Sequence, residues 1–245
     1  MPSKKKPRID TAVILAGGKG TRLRPYTTLI PKPLVPIGDK PILEILIRQL
    51  KKQGICNIII CVNPLASLIQ TFFGDGKKYG VNISYSFENK SLHTMGPLKL
   101  IKNLPQNFLV MNGDLLTNLD FKKLTDYHIR RNTLITVATR DYSVPISFGV
   151  IDTDKNKKTA TGFREKPIQH MIISMGVCCL KRQILTYIPK DTFFGFDNLM
   201  LALLKDNKEI ALYPHKGYWL DIGKPEEYEK ANRDIDYLQK HVLKI

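Results

Sequence analysis

Apolar residues come in short blocks along the chain, and the spacing within each block predicts the element it forms. The run Ala12-Val13-Ile14-Leu15 stops at Ala16-Gly17-Gly18. A short apolar run bounded by glycines predicts a buried strand. Across residues 41–53 the apolar positions Ile42, Leu43, Ile45, Leu46 and Leu50 recur at helical spacing, with Gly54 as the stop. Residues 58–62 predict a second buried strand, 65–73 a helix ending near Gly74-Asp75-Gly76, and 81–87 a third strand. This βαβαβ order predicts a parallel, doubly wound sheet, whose ligands sit beyond the carboxyl ends of the strands.

Further along, residues 108–111 predict a strand, 121–130 a short helix and 133–139 a β-branched strand. Residues 198–204 form an apolar helical block, 210–213 a strand, and a helix closes the chain through about Leu243. Between these, 145–151 and 162–167 flank a polar loop and predict an antiparallel pair. The expected fold is α/β: Rossmann-like and doubly wound, a mostly parallel mixed sheet with a small antiparallel portion.

Length and composition narrow this only a little. The 245 residues suit one large α/β domain, taken as residues 11–245 behind a basic flexible tail at 1–10. A hydrophobic content of 43% with 24% charge is ordinary for a globular chain. No apolar run approaches a membrane span and the N-terminus lacks an apolar signal core, so a cytoplasmic protein with no membrane partner is expected. Cys56, Cys61, Cys178 and Cys179 show no metal-ligand spacing, and three lie in apolar runs as small hydrophobes. The net charge of +16 fits nucleic acid, an anionic surface or small anionic substrates. Lys4, Lys5 and Lys6 form a short basic end of the kind that is usually solvated, and aromatic residues are not interleaved with the cations. No specific nucleic-acid partner is expected.

The chemistry concentrates in LAGGKGTRLRPYTTLIPKPL, residues 15–34. Glycines directly after a strand let the backbone approach a phosphate, and Arg22 and Lys32 supply cations for the same anion. The stretch reads as a triphosphate site or, on its glycines alone, as a strand-to-helix turn with solvated cations. The common phosphate motifs do not fit: Lys19 falls between the glycines, unlike a Walker lysine, and Leu23 stands where a dinucleotide fingerprint needs its third glycine. At the end of the 108–111 strand, Asn112-Gly113-Asp114 puts a carboxylate at a strand tip. Asp114 there can hold Mg²⁺ beside substrate phosphates, or serve as a turn or N-cap residue.

Taken whole, LAGGKGTRLRP followed by PKPL resembles the signature of the sugar-1-phosphate nucleotidyltransferases, closest to the mannose-1-phosphate guanylyltransferase-like type. NGD at 112–114, FREKP at 163–167 and YWLDIG with KPEEYEKAN at 218–232 continue the resemblance. It implies that the backbone at Leu15, Ala16 and Gly17 meets the base, with Gly18, Gly20 and Thr21 completing the nucleotide loop. Arg22 would bind the triphosphate near the departing pyrophosphate and Lys32 would sit at the reacting centre. Asp114 and Asp221 would be the two Mg²⁺ carboxylates. Glu165 would bind sugar hydroxyls and Lys166 the sugar phosphate, with Gly149 of FGV in the same sugar-facing antiparallel portion. Ser174 stands where the family often has a sugar-contacting Asn.

Residues 88–98 resemble the family element in which an acidic residue precedes LGTAGPL. Glu88 aligns with the base-reading position, and Thr94 is kept. His93 and Met95 stand where Gly and Ala are usual, adding bulk near base and sugar. An ionised carboxylate only accepts hydrogen bonds, and guanine offers adjacent N–H donors on one edge, so Glu88 favours GTP. The resemblance thus implies transfer of a nucleotidyl group from an NTP to a sugar-1-phosphate with Mg²⁺, for surface polysaccharide or glycoconjugate synthesis. It also implies self-association as a dimer or tetramer. The alternatives are dTTP- or CTP-dependent transfer, and a catalytically inactive nucleotide-sugar-binding regulatory homologue.

Overall fold

The computed structural model describes residues 8–18, 20–63 and 67–243. In chain order the strands and first helices are β1 (Thr11–Leu15), β2 (Pro36–Ile37), β3 (Lys40–Pro41), α1 (Ile42–Lys52), β4 (Asn57–Val62), α2 (Ser67–Phe73) and β5 (Asn82–Phe87). There follow β6 (Asn107–Asn112), β7 (Leu115–Thr117), α3 (Phe121–Arg131), β8 (Ile135–Pro145), β9 (Val150–Thr153), β10 (Ala160–Arg164) and β11 (Ile168–Lys181). Last come α4 (Phe196–Lys205), β12 (Ile210–Pro214), β13 (Trp219–Asp221), α5 (Pro225–Arg233), α6 (Ile235–Tyr237) and a π-helical turn, Leu238–Leu243. Residues 65 and 66 of the expected second helix lie outside the described residues, as do Lys19 and the lysines at 4–6.

Seven strands form one sheet in the order β12-β8-β11-β6-β1-β4-β5. β1 is central because Ala12, Val13 and Ile14 are all fully buried, so both of its faces are covered. It pairs in parallel with β4 (Val13 opposite Ile59) and with β6 (Val13 opposite Val110). Alternation along the strand divides the core. Ala12 and Ile14 pack with Leu46 and Leu50 of α1, Phe73 of α2 and Leu124 of α3. Val13 and Val110 pack on the other face with Leu199 and Leu203 of α4. Helices on both faces make the sheet doubly wound, as expected.

β11 departs from the predicted pattern. It runs antiparallel between β6 and β8, making the sheet mixed, and it is 14 residues long where no strand was predicted. A bulge interrupts its pairing with β8 between Ser174 and Cys178. Gly176 takes φ +70° there, and a Cβ on it would lie 2.6 Å from Asn112 Nδ2. The bulge breaks the alternation on which the prediction depended. The predicted antiparallel pair is present as β9 and β10, with Phe163 opposite Ile151, but its boundaries differ. Pro145 belongs to the end of β8, opposite Ile168, and residues 146–149 form a loop.

The basic end expected to be flexible over residues 1–10 is described from Arg8 onward. Ile9 is buried in the core and the Arg8 guanidinium donates to Gln53 O. A third apolar cluster joins Leu23, Val35 and Ile37 to Ile222, Ala231 and Leu238. It pins the segment following β1 against the C-terminal helices. No helix among the described residues is long and apolar enough to cross a membrane.

Candidate functional site

At the carboxyl ends of β1, β4 and β6 lies a cleft of about 390 Å³. It is lined by Leu15, Ala16, Gly17, Gly18, Gly20, Thr21, Arg22, Lys32, Glu88, Thr94 and Asp114, eleven residues singled out from the sequence, in the position a doubly wound sheet favours. Gly17 is required by close approach: a Cβ there would stand 2.5 Å from Glu88 Oε1. Its carbonyl accepts from Asn63 Nδ2 at 3.0 Å, which ties the loop after β1 to the end of β4. Thr27 Oγ1 donates to Gly20 O at 2.7 Å and fixes the next turn of the loop.

The charged centre is assembled by β7 and β13. Their antiparallel pairing sets Asp221 opposite Leu115, and Ile222 N donates to Asp114 O at 2.9 Å. Lys32 Nζ is ion-paired with Asp114 Oδ2. Asp114 Oδ1 and Asp221 Oδ1 are both buried without a hydrogen-bond partner. Burial, and next the charge of Asp114, push the Asp221 carboxyl up to about 6, against the opposing pull of Lys32 and Arg22. Two facing carboxylates with orphaned oxygens fit a hard divalent cation, which commonly takes one or two carboxylates and draws its other ligands from phosphate and water. Among the described residues no group of three or more His, Cys, Asp and Glu side chains gathers as a fuller cage. That donor set suits Mg²⁺ held jointly with a phosphate-bearing substrate.

Glu88 is buried at the end of the cleft nearest Gly17. Its Oε2 accepts from Leu92 N at 3.0 Å, leaving Oε1 toward Gly17. Burial raises its carboxyl above the ordinary value, partly offset by the Leu92 N–H. The Cys61 thiol, also lining the cleft, is pushed up to about 12 by burial and the Glu88 charge, which keeps it protonated near neutral pH. Thr94 reaches the cleft, yet its hydroxyl accepts from Phe196 N at 2.9 Å and is committed to the fold. His93 does line the cleft. Met95 is buried in the α4-side core, so its bulk fills packing space and only borders a neighbouring cavity.

That second cavity, about 240 Å³, adjoins the cleft through Leu15, Thr94 and Asn112 and is lined by Ser174, Trp219 and Asp221. Ser174 Oγ accepts from Gly176 N at 3.3 Å inside the β11 bulge. Trp219 Nε1 donates to Met175 O at 2.9 Å, and the Arg140 guanidinium lies 5.4 Å from its ring centroid. Gly149, Glu165 and Lys166 line neither cavity. They sit together at the exposed β9–β10 ribbon, where a Cβ on Gly149 would approach Glu165 Oε2 to 3.2 Å and Lys166 Nζ stands 4.0 Å from Glu165 Oε1.

Three contributors were not assigned from the sequence. Asn112 and Trp219 lie inside NGD and YWLDIG, next to the residues that were chosen. Glu227 Oε2 accepts from Gly223 N and Lys224 N at 3.0 and 2.8 Å, and its charge adds to the upward push on Asp221. A Glu three residues into a helix is a capping signal, and that signal was available in KPEE.

Residues 11–237 match the Nucleotidyl transferase family. Over 91% of its length the chain is 34% identical to a UTP–glucose-1-phosphate uridylyltransferase of Synechocystis sp.. Over 88% it is 32% identical to a mannose-1-phosphate guanyltransferase of Yarrowia lipolytica. It covers 63% and 61% of those two proteins, so it spans about three fifths of their length. The solved structure of HddC from Yersinia pseudotuberculosis superposes with a TM-score of 0.72 at 30% identity, covering 93% of this chain and all of that one. HddC has also been solved complexed with GMP-PN. The chain belongs to the nucleotidyl transferase family, among the sugar-1-phosphate nucleotidyltransferases.

Proposed function

We propose that this chain transfers a nucleotidyl group from an NTP, with GTP favoured, to a sugar-1-phosphate and releases pyrophosphate. The observation that carries the reading is the charged centre: Lys32 paired with Asp114, and Asp114 and Asp221 each keeping one unbonded buried oxygen. A sugar-1-phosphate oxygen attacks the α-phosphorus in line. The bond to the α,β-bridging oxygen breaks, and pyrophosphate leaves with that electron pair. The nucleophile is already an anion near neutral pH, so no side chain has to remove a proton. The obstacle is bringing two anions together, and positioning and charge neutralisation answer it. Arg22 neutralises the leaving pyrophosphate and Lys32 the transferring group. Asp114 and Asp221 hold Mg²⁺, which when bound supplies further charge neutralisation at the phosphate oxygens.

Leu15, Ala16 and Gly17 meet the base in this reading, and Glu88 accepts from its N–H edge. The smaller cavity, with Ser174 and Trp219, receives the sugar, and from the ribbon Glu165 binds sugar hydroxyls while Lys166 meets the sugar phosphate. Residues 11–245 act as one catalytic unit, self-association included, with no specific nucleic-acid partner, in the making of polysaccharide or glycoconjugate precursors. GTP use is supported by the relative named for guanylyl transfer and by HddC solved with GMP-PN. A UTP-dependent enzyme is the second reading, supported by the relative named for uridylyl transfer. The test is pyrophosphate release with Mg²⁺ across GTP, UTP, dTTP, CTP and ATP, each against a panel of sugar-1-phosphates. GTP-dependent release is expected. Release with another base alone would correct the base assignment, and silence across the panel would reject the transferase reading.

A further inference from the structure

His93 lines the cleft in a backbone conformation that side chains rarely adopt, with φ +67°. Glycine takes such a φ without strain, so a histidine there needs an account. Its ring is held from two sides. It meets the Phe193 ring edge-on, with centroids 4.6 Å apart and planes at 70°, and its Nδ1 lies 3.1 Å from Thr94 Oγ1. The surrounding loop is laced to the segment before α4. Phe194 N donates to Leu92 O at 3.0 Å, Met95 N and Gly96 N donate to Phe194 O, and Phe196 N donates to Thr94 Oγ1. With Nδ1 taken up by Thr94, Nε2 is the ring nitrogen left for a ligand. His93 and Glu88 line the same cleft, and the Leu92 N–H next to His93 in the chain binds the Glu88 carboxylate.

We propose that His93 sets which nucleobase the cleft accepts: its imidazole, braced by Phe193 and Thr94, packs on the base held at Glu88 and hydrogen-bonds it through Nε2. This rests on the nucleotide-binding reading given above. The brace explains why the strained backbone is kept, since it presents a flat ring and one donor or acceptor where glycine would leave open space. A selectivity residue acts on the base and leaves the sugar side alone.

The test is calorimetric binding of GTP, UTP, dTTP and CTP to the wild type, His93→Gly and His93→Asn. Glycine relaxes the backbone, and asparagine tolerates the left-handed region without offering a ring, so both variants should keep the wild-type thermal midpoint. Loss of about tenfold in affinity for the preferred nucleotide is expected, equivalent to one good hydrogen bond, with the ranking of bases compressed. KM for the sugar-1-phosphate should stay within about twofold, because uniform binding is lost only on the nucleotide side. Unchanged affinity and ranking in both variants would overturn the proposal. So would an equal rise in the sugar-phosphate KM. Because binding is read without turnover, a wild type that prefers one base yet releases no pyrophosphate rejects the transferase reading while this test still decides His93. A wild type that binds no nucleotide rejects both.

Discussion

Asp114 lines the cleft and Asp221 the adjoining cavity, and burial of Asp221, with the Asp114 charge beside it, sets how the site answers pH. The Asp221 carboxyl is raised to about 6 by burial and by Asp114. A carboxyl raised in the fold binds its proton more tightly than in the unfolded chain. Its stabilising contribution is therefore complete below the unfolded value near 3.8 and is lost as pH rises through about 6. Cation binding runs the other way, because it needs the ionised pair. The rise in thermal midpoint on adding Mg²⁺ with nucleotide is thus expected to grow between pH 5 and 7, centred near 6. Melting curves across that range test this, and a flat profile would detach Asp221 from the cation. Asp114→Asn removes the second-largest cause of the shift, so the centre should move below 6. The same change should cut pyrophosphate release by about 100-fold, as loss of one charge stabiliser does. Near wild-type turnover in that variant would take Asp114 out of the site.

β11 is the element that shapes the second cavity, and its bulge is the vulnerable point. Gly176 occupies a left-handed conformation with Asn112 at close quarters, so Gly176→Ala meets both backbone strain and a side chain that lines the cleft. A loss of about 1–2 kcal/mol is expected, lowering the thermal midpoint by roughly 2–8 °C in a chain of this size. Calorimetry measures it, and an unchanged midpoint would mean the bulge relaxes freely. The same bulge shows where sequence reasoning stops. β1, β4 and β6 were legible because each is an unbroken apolar block ended by glycine, asparagine or a polar residue. β11 was not, because it leaves the sheet's regular alternation at Ser174 to Cys178. In the site, residues 15–18, 20–22 and Asp114 were legible because they follow strand ends that open on one cleft. The commitment of the Thr94 hydroxyl to Phe196 N was not, because it joins residues 102 positions apart. Trp219 went unassigned because its contacts, Met175 O and Arg140, come from two other strands.

At the scale of the whole chain, 38 basic residues against 22 acidic ones give a net charge of +16, far more than Arg22 and Lys32 contribute to the cleft. Such a field attracts any polyanion, and its reach is set by the ionic atmosphere, about 10 Å at 0.1 M salt. For a small anion such as an NTP the field concentrates substrate and speeds encounter without entering the chemical step. The value of kcat/KM for the nucleotide should therefore fall several-fold between about 0.05 M and 0.3 M salt, with kcat unchanged. Duplex DNA offers one phosphate charge per roughly 1.7 Å and would feel the same field, but its affinity should collapse over that range without preference for sequence. Steady-state kinetics and a DNA titration over one salt series separate the two roles. A salt-independent kcat/KM would mean that the charge lies away from the cleft mouth. Sequence-selective DNA binding surviving at the upper salt would give the basic surface a partner of its own, and the nucleotide cleft would then be only part of what the chain does.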